Sequence, residues 1–354
     1  MKLHIGINAL YLIPGGVGGT EVYLRSVVGA IERLGTGHRI TVFTNRETGP
    51  LGSNPRVLDI HAASRVARIL YEQFSLPGVL RQDRVDVLLN PGFTAPWVPP
   101  CPQVTVFHDL QHKRHPEYFR WFDLPAWRLL LWSAARRSQR LIAVSASTRD
   151  DLLRFYPFLT PGRIDVVPHG VDDAFFALAE RRAPGDFLLC PSTTHPHKNH
   201  LRLLRCFARL RERHPELKLV LTGVKGFVHE EVNRLAQSLG PAVEVRGWVE
   251  RGELLELFRT ARAVVYPSTF EGFGMPVAEA LAAGVPLACS DIEPLRTLAS
   301  GAAALFDPND EDAMTGAIDH AISSAPSASG FAASLTWENA ARATVESLVR
   351  AAQA

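Results

Sequence analysis

Residues 263–289 read A-V-V-Y-P-S-T-F-E-G-F-G-M-P-V-A-E-A-L-A-A-G-V-P-L-A-C and carry the clearest signal of the fold. Its two ends, residues 263–266 and 287–289, are short apolar runs typical of buried strands. Pro276 suits the first turn of a helix, and Gly284 suits the end of one. Strand, glycine-rich turn, helix and strand in this order predict a parallel β-α-β unit.

The same alternation runs along nearly the whole chain. Predicted strands lie at residues 3–8, 39–43, 85–90, 103–107, 141–145, 164–167, 187–190, 217–222, 243–245, 263–266, 287–289 and 303–306. Amphipathic stretches between them, such as 20–34 and 64–80, predict helices, and Ser147 with Asp150 predicts a capping box for a helix through Tyr156. The pattern is that of an α/β protein with parallel sheets covered on both faces.

A polar segment, residues 171–186, contains Pro184-Gly185 and separates two series of six predicted strands. We therefore predict two doubly wound domains, residues 1–175 and 176–336, and a last helix at 337–354 that crosses back to the first domain. Ligands are expected at the carboxyl ends of the strands and in a cleft between the domains.

The composition of the chain limits the partners and the cellular compartment that the sequence favours. The 354 residues carry a net charge of +2, which gives no general argument for nucleic acid as a partner. The four cysteines are far apart and have no zinc-site spacing, which favours a reducing compartment. No run of about 18 apolar residues occurs, and the apolar N-terminus leads into a glycine loop instead of a cleavage site. We expect a cytoplasmic protein.

The glycine-rich turn after residues 263–266 is the strongest candidate site. Glu271, Gly272, Phe273, Gly274 and Met275 follow a strand and open a helix, where unpaired N–H groups and the helix dipole suit a phosphate or sugar hydroxyls. Glu279 lies among apolar residues of the same helix. The plainer alternative is that Glu271 caps the helix and Glu279 lies on a solvated face.

Three further segments follow predicted strands. Residues 14–21, P-G-G-V-G-G-T-E, read either as a diphosphate-binding turn or as a plain tight turn, and they lack the third glycine of a dinucleotide site. His108-Asp109 lies at a strand end, where a structural histidine is as good an interpretation as a functional one. Lys198, in H-P-H-K-N, either neutralises a phosphate or opens a solvated helix.

Residues 113–140 combine seven Lys/Arg and two acids with interleaved aromatic residues. Basic and aromatic side chains together suggest peripheral contact with a membrane surface or a glycan-stacking surface. The alternative is a helix whose aromatic side chains pack inward.

Together these segments resemble a retaining glycosyltransferase of family 4, which has the GT-B fold of two Rossmann-like domains facing across a cleft. The resemblance covers nearly the whole chain and is greatest to the bacterial mannosyltransferase branch that builds O-antigen-type polysaccharides. Its strongest element is the E-x7-E pattern from Glu271 to Glu279. The supporting motifs are G-G-T-E-V-Y at 18–23, F-H-D-L at 107–110, V-S-A-S-T-R-D-D-L at 144–152, V-V-P-H-G-V-D at 166–172, H-K-N at 197–199 and A-L-F-D-P at 304–308.

The resemblance implies a nucleotide-sugar donor, GDP-mannose or a UDP-sugar, and a glycan or lipid-linked acceptor, with no other cofactor. Glu271 would hold hydroxyls of the donor sugar with help from the N–H groups of 272–275, and Glu279 would hold the ribose. Lys198 would contact the diphosphate, and Gly18 and Gly19 would close over it. His108 would face the reacting carbon of the sugar. The base would lie at Trp248 and Val249.

Two departures from the family pattern affect donor binding. Ser192 stands where the family often has an arginine, so Ser192, Thr193 or another group must compensate, and the family's glutamate after the sugar loop is replaced near Thr297. No D-x-D motif lies at a plausible strand end, which favours a metal-independent reaction. The alternatives are a UDP-sugar-dependent transferase of the same fold and an inactive GT-B homologue that only binds. A nicotinamide dehydrogenase is disfavoured by the broken glycine pattern.

Overall fold

Two compact units make up the chain in a computed structural model that describes residues 2–15, 18–324 and 331–354. Unit 1 comprises Met1–Gly170 and Trp337–Ala354, and unit 2 comprises Val171–Thr336. The division falls between Gly170 and Val171, whereas the sequence placed it after residue 175. Segment 171–186 packs within unit 2, where the side chain of Arg182 donates to the carbonyls of Phe258 and Ala261 at 2.7 and 2.9 Å.

Unit 1 contains a seven-stranded, all-parallel sheet with the order β3-β2-β1-β4-β5-β6-β7. The strands are β1 (His4–Asn8), β2 (Arg39–Thr44), β3 (Pro55–Val57), β4 (Val87–Asn90), β5 (Gln103–Phe107), β6 (Arg140–Ala143) and β7 (Ile164–Val166). The central strands β1, β4 and β5 are buried at every residue, as expected for a parallel sheet covered on both faces.

Helices and irregular segments cover this sheet. They are α1 (Gly19–Arg33), α2 (Arg65–Leu70), α3 (Leu76–Gln82), α4 (Gln111–Arg114), α5 (Leu124–Arg137) and α6 (Ala146–Phe155). A π-helical turn, Tyr71–Ser75, joins α2 to α3, so the predicted helix at 64–80 is one helical segment with a widened turn. The N-cap of α6 is Ser145, whose hydroxyl accepts from Thr148 N at 3.1 Å. The capping box predicted at Ser147 is therefore wrong by two residues.

Unit 2 repeats the plan with six parallel strands in the order β10-β9-β8-β11-β12-β13. The strands are β8 (Phe187–Pro191), β9 (Lys218–Thr222), β10 (Val243–Gly247), β11 (Ala263–Tyr266), β12 (Leu287–Ser290) and β13 (Ala304–Phe306). The helices are α7 (Asp173–Phe176), α8 (His200–Leu210), α9 (His229–Ser238), α10 (Arg251–Thr260), α11 (Met275–Ala282), α12 (Leu295–Ala299) and α13 (Glu311–Ser323). Leu203 and Phe207 of α8 and Ile318 of α13 are fully buried in its core.

The last helix, α14 (Trp337–Gln353), belongs to unit 1. It packs against α1 and lies beside β4, β5 and β6, with Ala341 and Leu348 fully buried. Among the described helices none is both long and apolar enough to cross a bilayer.

Each sheet has a topological switch point. In unit 2 the chain runs from β8 outward to β10 and then continues with β11 on the other side of β8; in unit 1 the corresponding pair is β1 and β4. The loops that leave two such neighbouring strands diverge, and the crevice between them is where ligands bind in open α/β sheets.

Candidate active site

Two predicted donor-binding segments meet at the switch point of unit 2. Lys198 Nζ donates to Glu271 Oε1 at 2.6 Å and to the hydroxyl of Tyr266 at 2.9 Å. The side chains of Lys198 and Glu271 are 14% and 10% exposed. Burial and the neighbouring Glu271 carboxylate raise the pKa of Tyr266 well above its usual value, so its hydroxyl is neutral. A largely buried ion pair therefore lies between the ends of β8 and β11.

Main-chain contacts hold this pair in place. The carbonyl of His197 accepts hydrogen bonds from Thr269 N at 2.7 Å and from the hydroxyls of Ser268 and Thr269 at 3.1 and 3.2 Å. Asn199, at φ 60°, then turns the chain into α8. The loop after β8 and the turn after β11 are thus joined through their backbones, and the position of Lys198 is set by the fold itself.

The turn at residues 272–275 opens α11. Gly274 is its N-cap at φ 98°, and a Cβ there would lie 2.3 Å from Leu295 Cδ2. Both the backbone angle and the contact require glycine. No side chain of the described residues caps α11, so the alternative that Glu271 is its cap is wrong. The N–H groups of Gly274 and Met275 donate to no group within the described ranges, and they lie at the positive end of the helix dipole.

Glu279 lies one turn further along α11 and is partly buried. Burial raises the pKa of its carboxyl to about 8; nearby Asp172 acts in the same direction and Arg251 opposes it. Arg251 and Asp172 form an ion pair of 2.7 Å with each other. The Glu279 carboxyl accepts no hydrogen bond from the part of the chain that the structure describes. A ligand hydroxyl that donates to this carboxylate would supply the missing partner.

Ser192 and Thr193 lie in the loop after β8, but neither hydroxyl contacts a positively charged side chain in the described chain. The hydroxyl of Ser192 lies 3.1 Å from His200 Nε2, and burial, followed by the charge of Lys198, lowers the pKa of His200 to about 4. The Thr193 carbonyl accepts from His195 N at 2.7 Å. A neutral histidine thus lies beside the position where the family often has arginine.

Trp248 and Val249 follow β10, the edge strand two positions from β8 in the sheet. Neighbouring strands are about 4.8 Å apart, so this loop leaves the sheet roughly 10 Å from β8. Trp248 is 59% exposed, whereas Val249 is buried. Arg251 begins α10 just beyond them and connects this loop electrostatically with Glu279.

His108 lies in unit 1, directly after β5. Its Nε2 donates to the carbonyl of Pro91 at 2.8 Å, its Nδ1 lies 3.2 Å from His169 Nε2, and the ring of Tyr23 packs against it edge-on at 4.8 Å. Burial lowers the pKa of His108 to about 4, so the ring is neutral and Pro91 takes its N–H. Because both ring nitrogens have partners within unit 1, contact with a sugar would be made by other atoms of His108. The place of His108 beside the reacting sugar stays a prediction.

The glycine loop before α1 is described in part. Gly16 and Val17 lie outside the described residues. Gly18 is the N-cap of α1, at φ 58°, and Gly19 is its first residue. Glu21 accepts from Gly15 N at 2.8 Å and pairs with Arg25 at 2.8 Å, so this glutamate stabilises the loop.

The basic aromatic segment at 113–140 contains both partly buried and exposed aromatic side chains. Trp127 is partly buried under Arg65, whose guanidinium carbon lies 4.5 Å from the ring centroid. Trp121 is 83% exposed and Trp132 is 45% exposed. Inward packing therefore accounts for only part of its aromatic content.

Sequence reasoning missed three residues of the site: Tyr266, Arg251 and Asp172. Tyr266 reads as the last residue of a buried strand, Asp172 ends the motif V-V-P-H-G-V-D without a role assigned to it, and no local pattern marks Arg251. In the described ranges no group of three or more His, Cys, Asp or Glu side chains is placed to hold a metal ion. Asp310, of the D-x-D at 310–312, caps α13 by accepting from Asp312 N and Ala313 N at 2.9 and 3.0 Å.

Family models and proteins of known function match most of the chain. The family model described as Glycosyltransferase Family 4 matches residues 17–175, and the model described as Glycosyl transferases group 1 matches residues 176–334. O-antigen chain mannosyltransferase B of Escherichia coli is 28% identical over 264 residues, which are 68% of this chain and 68% of that protein. The MMP alpha-(1->4)-mannosyltransferase of Mycolicibacterium hassiacum is 30% identical over 234 residues, which are 62% of this chain and 56% of the relative.

Solved structures of similar fold cover both units. The lipopolysaccharide outer core galactosyltransferase WaaB, in its apo form, has a TM-score of 0.68 at 16% identity over 98% of this chain and 99% of its own. HepE from Anabaena, solved with UDP and glucose, has a TM-score of 0.66 at 18% identity, covering 99% and 97%. Sucrose-phosphate synthase from Thermosynechococcus elongatus has a TM-score of 0.70 at 17% identity, covering 99% and 97%.

Two Rossmann-like sheets with these structural neighbours show that the chain has the GT-B fold. Because the two family models together span residues 17–334, the chain belongs to glycosyltransferase family 4.

Proposed function

We propose that the protein is a retaining hexosyltransferase that transfers mannose from GDP-mannose to a glycan or lipid-linked acceptor without a metal ion. The observation that carries the proposal is the ion pair of Lys198 and Glu271, at 2.6 Å, between the ends of β8 and β11. The relatives from E. coli and M. hassiacum, both mannosyltransferases, support mannose as the sugar.

In the proposed donor complex the ligand extends across the carboxyl edge of unit 2. Lys198 and the N–H groups of Gly274 and Met275 contact the diphosphate. Glu271 accepts hydrogen bonds from sugar hydroxyls, and Glu279 accepts them from the ribose. The base lies against Trp248, whose exposed ring offers a stacking surface. Unit 1 binds the acceptor.

The proposed reaction breaks the bond between the anomeric carbon and the diphosphate oxygen. The acceptor oxygen bonds to the same face of that carbon, and its proton passes to the leaving phosphate. Negative charge grows on the leaving group, and Lys198 with the helix N–H groups stabilises it most in the transition state. Because their positions are fixed by the fold, little reorganisation is needed when the bond breaks.

A donor screen tests this proposal. Purified protein is incubated with mixed nucleotide sugars and a panel of acceptors, and mass spectrometry follows donor consumption and product. We expect GDP-mannose to be consumed by the wild type and not by Glu271→Ala or Lys198→Ala variants that remain folded by circular dichroism. Full activity in both variants would refute the assignment. Nucleotide binding without any transfer would favour a binding protein instead.

A UDP-sugar is the second candidate donor, favoured by the similarity to HepE, which was solved with UDP and glucose. Thermal shifts with GDP and UDP separate the two donors. We expect the larger shift with GDP, and a larger shift with UDP would reverse the assignment.

We propose further that residues 113–140 contact the cytoplasmic face of a membrane, where lipid-linked acceptors would lie. The exposed Trp121, Phe122 and Trp132 lie near Arg120, Arg128 and Arg136 in sequence, a combination suited to anionic lipid headgroups. Co-sedimentation with anionic liposomes should fall in a Trp121→Ser variant and not in a Phe74→Ser variant, which alters another exposed aromatic residue. No sedimentation of the wild type would refute this contact.

A further inference from the structure

The switch point of unit 1 contains a buried polar cluster that the donor reaction does not use. Asn8, the last residue of β1, donates to Glu72 Oε2 at 3.1 Å, and the hydroxyl of Thr94 donates to the same oxygen at 2.9 Å. Gln73 Nε2 donates to Glu72 Oε1 at 3.0 Å. The cluster therefore lies between the ends of β1 and β4, the position in unit 1 that corresponds to Lys198 and Glu271 in unit 2.

A π-helical turn places Glu72 and Gln73 in the interior of unit 1. In Tyr71–Ser75 the helix widens, and both Glu72 and Gln73 are buried. Gln73 also accepts from Trp97 N at 2.8 Å and donates to the carbonyl of Ala95 at 3.1 Å, which holds the loop after β4. Such π turns cost backbone hydrogen bonding and occur frequently at functional sites.

Arg68, one turn before Glu72, is the unusual member. It is only 7% exposed, and its guanidinium forms no hydrogen bond and no ion pair within 4.0 Å in the described chain. Its Nη1 is buried without a partner. Glu72 and Tyr11 interact with it electrostatically at longer range, and both oxygens of Glu72 already accept from neutral donors.

A buried guanidinium nitrogen without a hydrogen-bond partner is costly, because the N–H groups of Nη1 do not recover the hydration they lost. Partial charge compensation by Glu72 does not satisfy those donors. Phosphate and carboxylate groups match the planar fork of arginine with two parallel hydrogen bonds. The unsatisfied donors thus have the chemistry of an oxyanion site.

We propose that Arg68 binds an oxyanion, a phosphate or a carboxylate, carried by the acceptor at the switch point of unit 1. The assignment to an acceptor rests on the proposed transferase function, whereas the anion site itself does not. Tyr11, in the loop after β1, packs its ring against Gly92, where a Cβ would lie 2.3 Å from it, and so forms a fixed wall beside the site. The acceptor class is then a sugar phosphate, a lipid-linked phosphate or an acidic sugar.

Calorimetric titration of the full-length chain with inorganic phosphate and, separately, glucuronate tests the site and distinguishes the two anions. A Lys198→Met background removes the proposed donor-phosphate site, so one saturable site should remain. Adding Arg68→Met should weaken binding of the preferred anion by about 10- to 100-fold, the equivalent of a lost charge-assisted contact. Adding Arg149→Met instead, which removes a more exposed arginine of unit 1 paired with Asp150, should leave it unchanged.

Equal anion affinity with and without Arg68 would overturn the proposal, and so would the absence of saturable binding of either anion. If the Arg68 variant does not fold, crystals of the wild type soaked in selenate carry the test: an anomalous peak beside the Arg68 guanidinium supports the site, and its absence refutes it. Failure of the donor screen with intact anion binding would overturn the transferase assignment alone.

Discussion

Replacing Lys198 by methionine removes one member of a largely buried ion pair and leaves the other. At 2.6 Å, with an effective dielectric constant of about 20, the gross attraction between Lys198 and Glu271 is about 6 kcal/mol. Much of it is offset by the desolvation of both groups, and loss of one partner of a fully buried pair costs about 3–5 kcal/mol. Because the Tyr266 hydroxyl remains beside Glu271, we expect unit 2 to lose about 3 kcal/mol of stability.

The companion variants distinguish charge from packing. Glu271→Gln in the Lys198→Met background removes the unpaired carboxylate, and we expect it to recover about 2 kcal/mol. Because a chain with two units need not unfold in one step, hydrogen exchange of peptides from β8 and β11 measures the local free energy of opening. Peptides from β1 and β5 of unit 1 are the internal control. If the double variant is as destabilised as Lys198→Met, the ion-pair reasoning is refuted.

Three further perturbations test other parts of the site and fold. Above the phosphate titration range, the nucleotide affinity of the wild type should fall about tenfold from about pH 9 to about pH 7, because the Glu279 carboxyl is protonated around its pKa of about 8. Calorimetry of the Glu279→Gln variant should show no such fall. A matching fall in that variant would contradict the contact of Glu279 with the ribose. Gly274→Ala should destabilise unit 2 by about 2–3 kcal/mol in hydrogen exchange, because its Cβ would meet Leu295 at φ 98°; a loss below about 0.5 kcal/mol would show that the turn tolerates a side chain. Ser145→Ala should cost about 1 kcal/mol in urea unfolding and Ser147→Ala less, and the reverse order would return the cap of α6 to Ser147.

The pH dependence of Glu279 also has a consequence for stability. Its pKa in the folded state is raised above the ordinary value of 4.5 to about 8, so the folded state binds the proton more tightly than the unfolded state does. Stability from this group is therefore greatest below the unfolded pKa and is lost as the pH rises from about 4.5 through about 8. A partly buried carboxyl that costs stability at neutral pH is consistent with selection for ligand contact.

Much of the fold follows from local pattern. The strands at 103–107 and 263–266 were predicted to the residue. A-V-V-Y at 263–266 is a continuous apolar run, which is characteristic of parallel strands buried on both faces. Q-V-T-V-F at 103–107 is rich in β-branched and aromatic residues, which favour strands. The edge strand Pro55–Val57 was missed, since all three of its residues are exposed and carry no apolar signal. The π turn at 71–75 was missed as well, because its apolar spacing is that of an ordinary helix.

The sequence predicts which residues lie at the ends of strands near the site, but it does not predict which of them contact each other. The glycine turn and Pro276 identify residues 271–275 as a helix start after a strand, and H-P-H-K-N places Lys198 after another. That Lys198 and Glu271 meet depends on β11 pairing with β8, a long-range choice that no local pattern contains. Arg68 and Glu72 were not singled out, because a charged pair four residues apart on an amphipathic helix ordinarily faces solvent.

Calorimetric titration of GDP into the wild type and into the Lys198→Met/Glu271→Gln double variant tests the central claim most directly. Because we expect the double variant to keep the fold, its nucleotide affinity should report the contact with the diphosphate alone. We predict that GDP binds the wild type at least about tenfold more tightly, since a charge-assisted hydrogen bond contributes about 1.5–3 kcal/mol. Equal affinities for the two proteins would contradict the placement of the donor diphosphate at the switch point of unit 2.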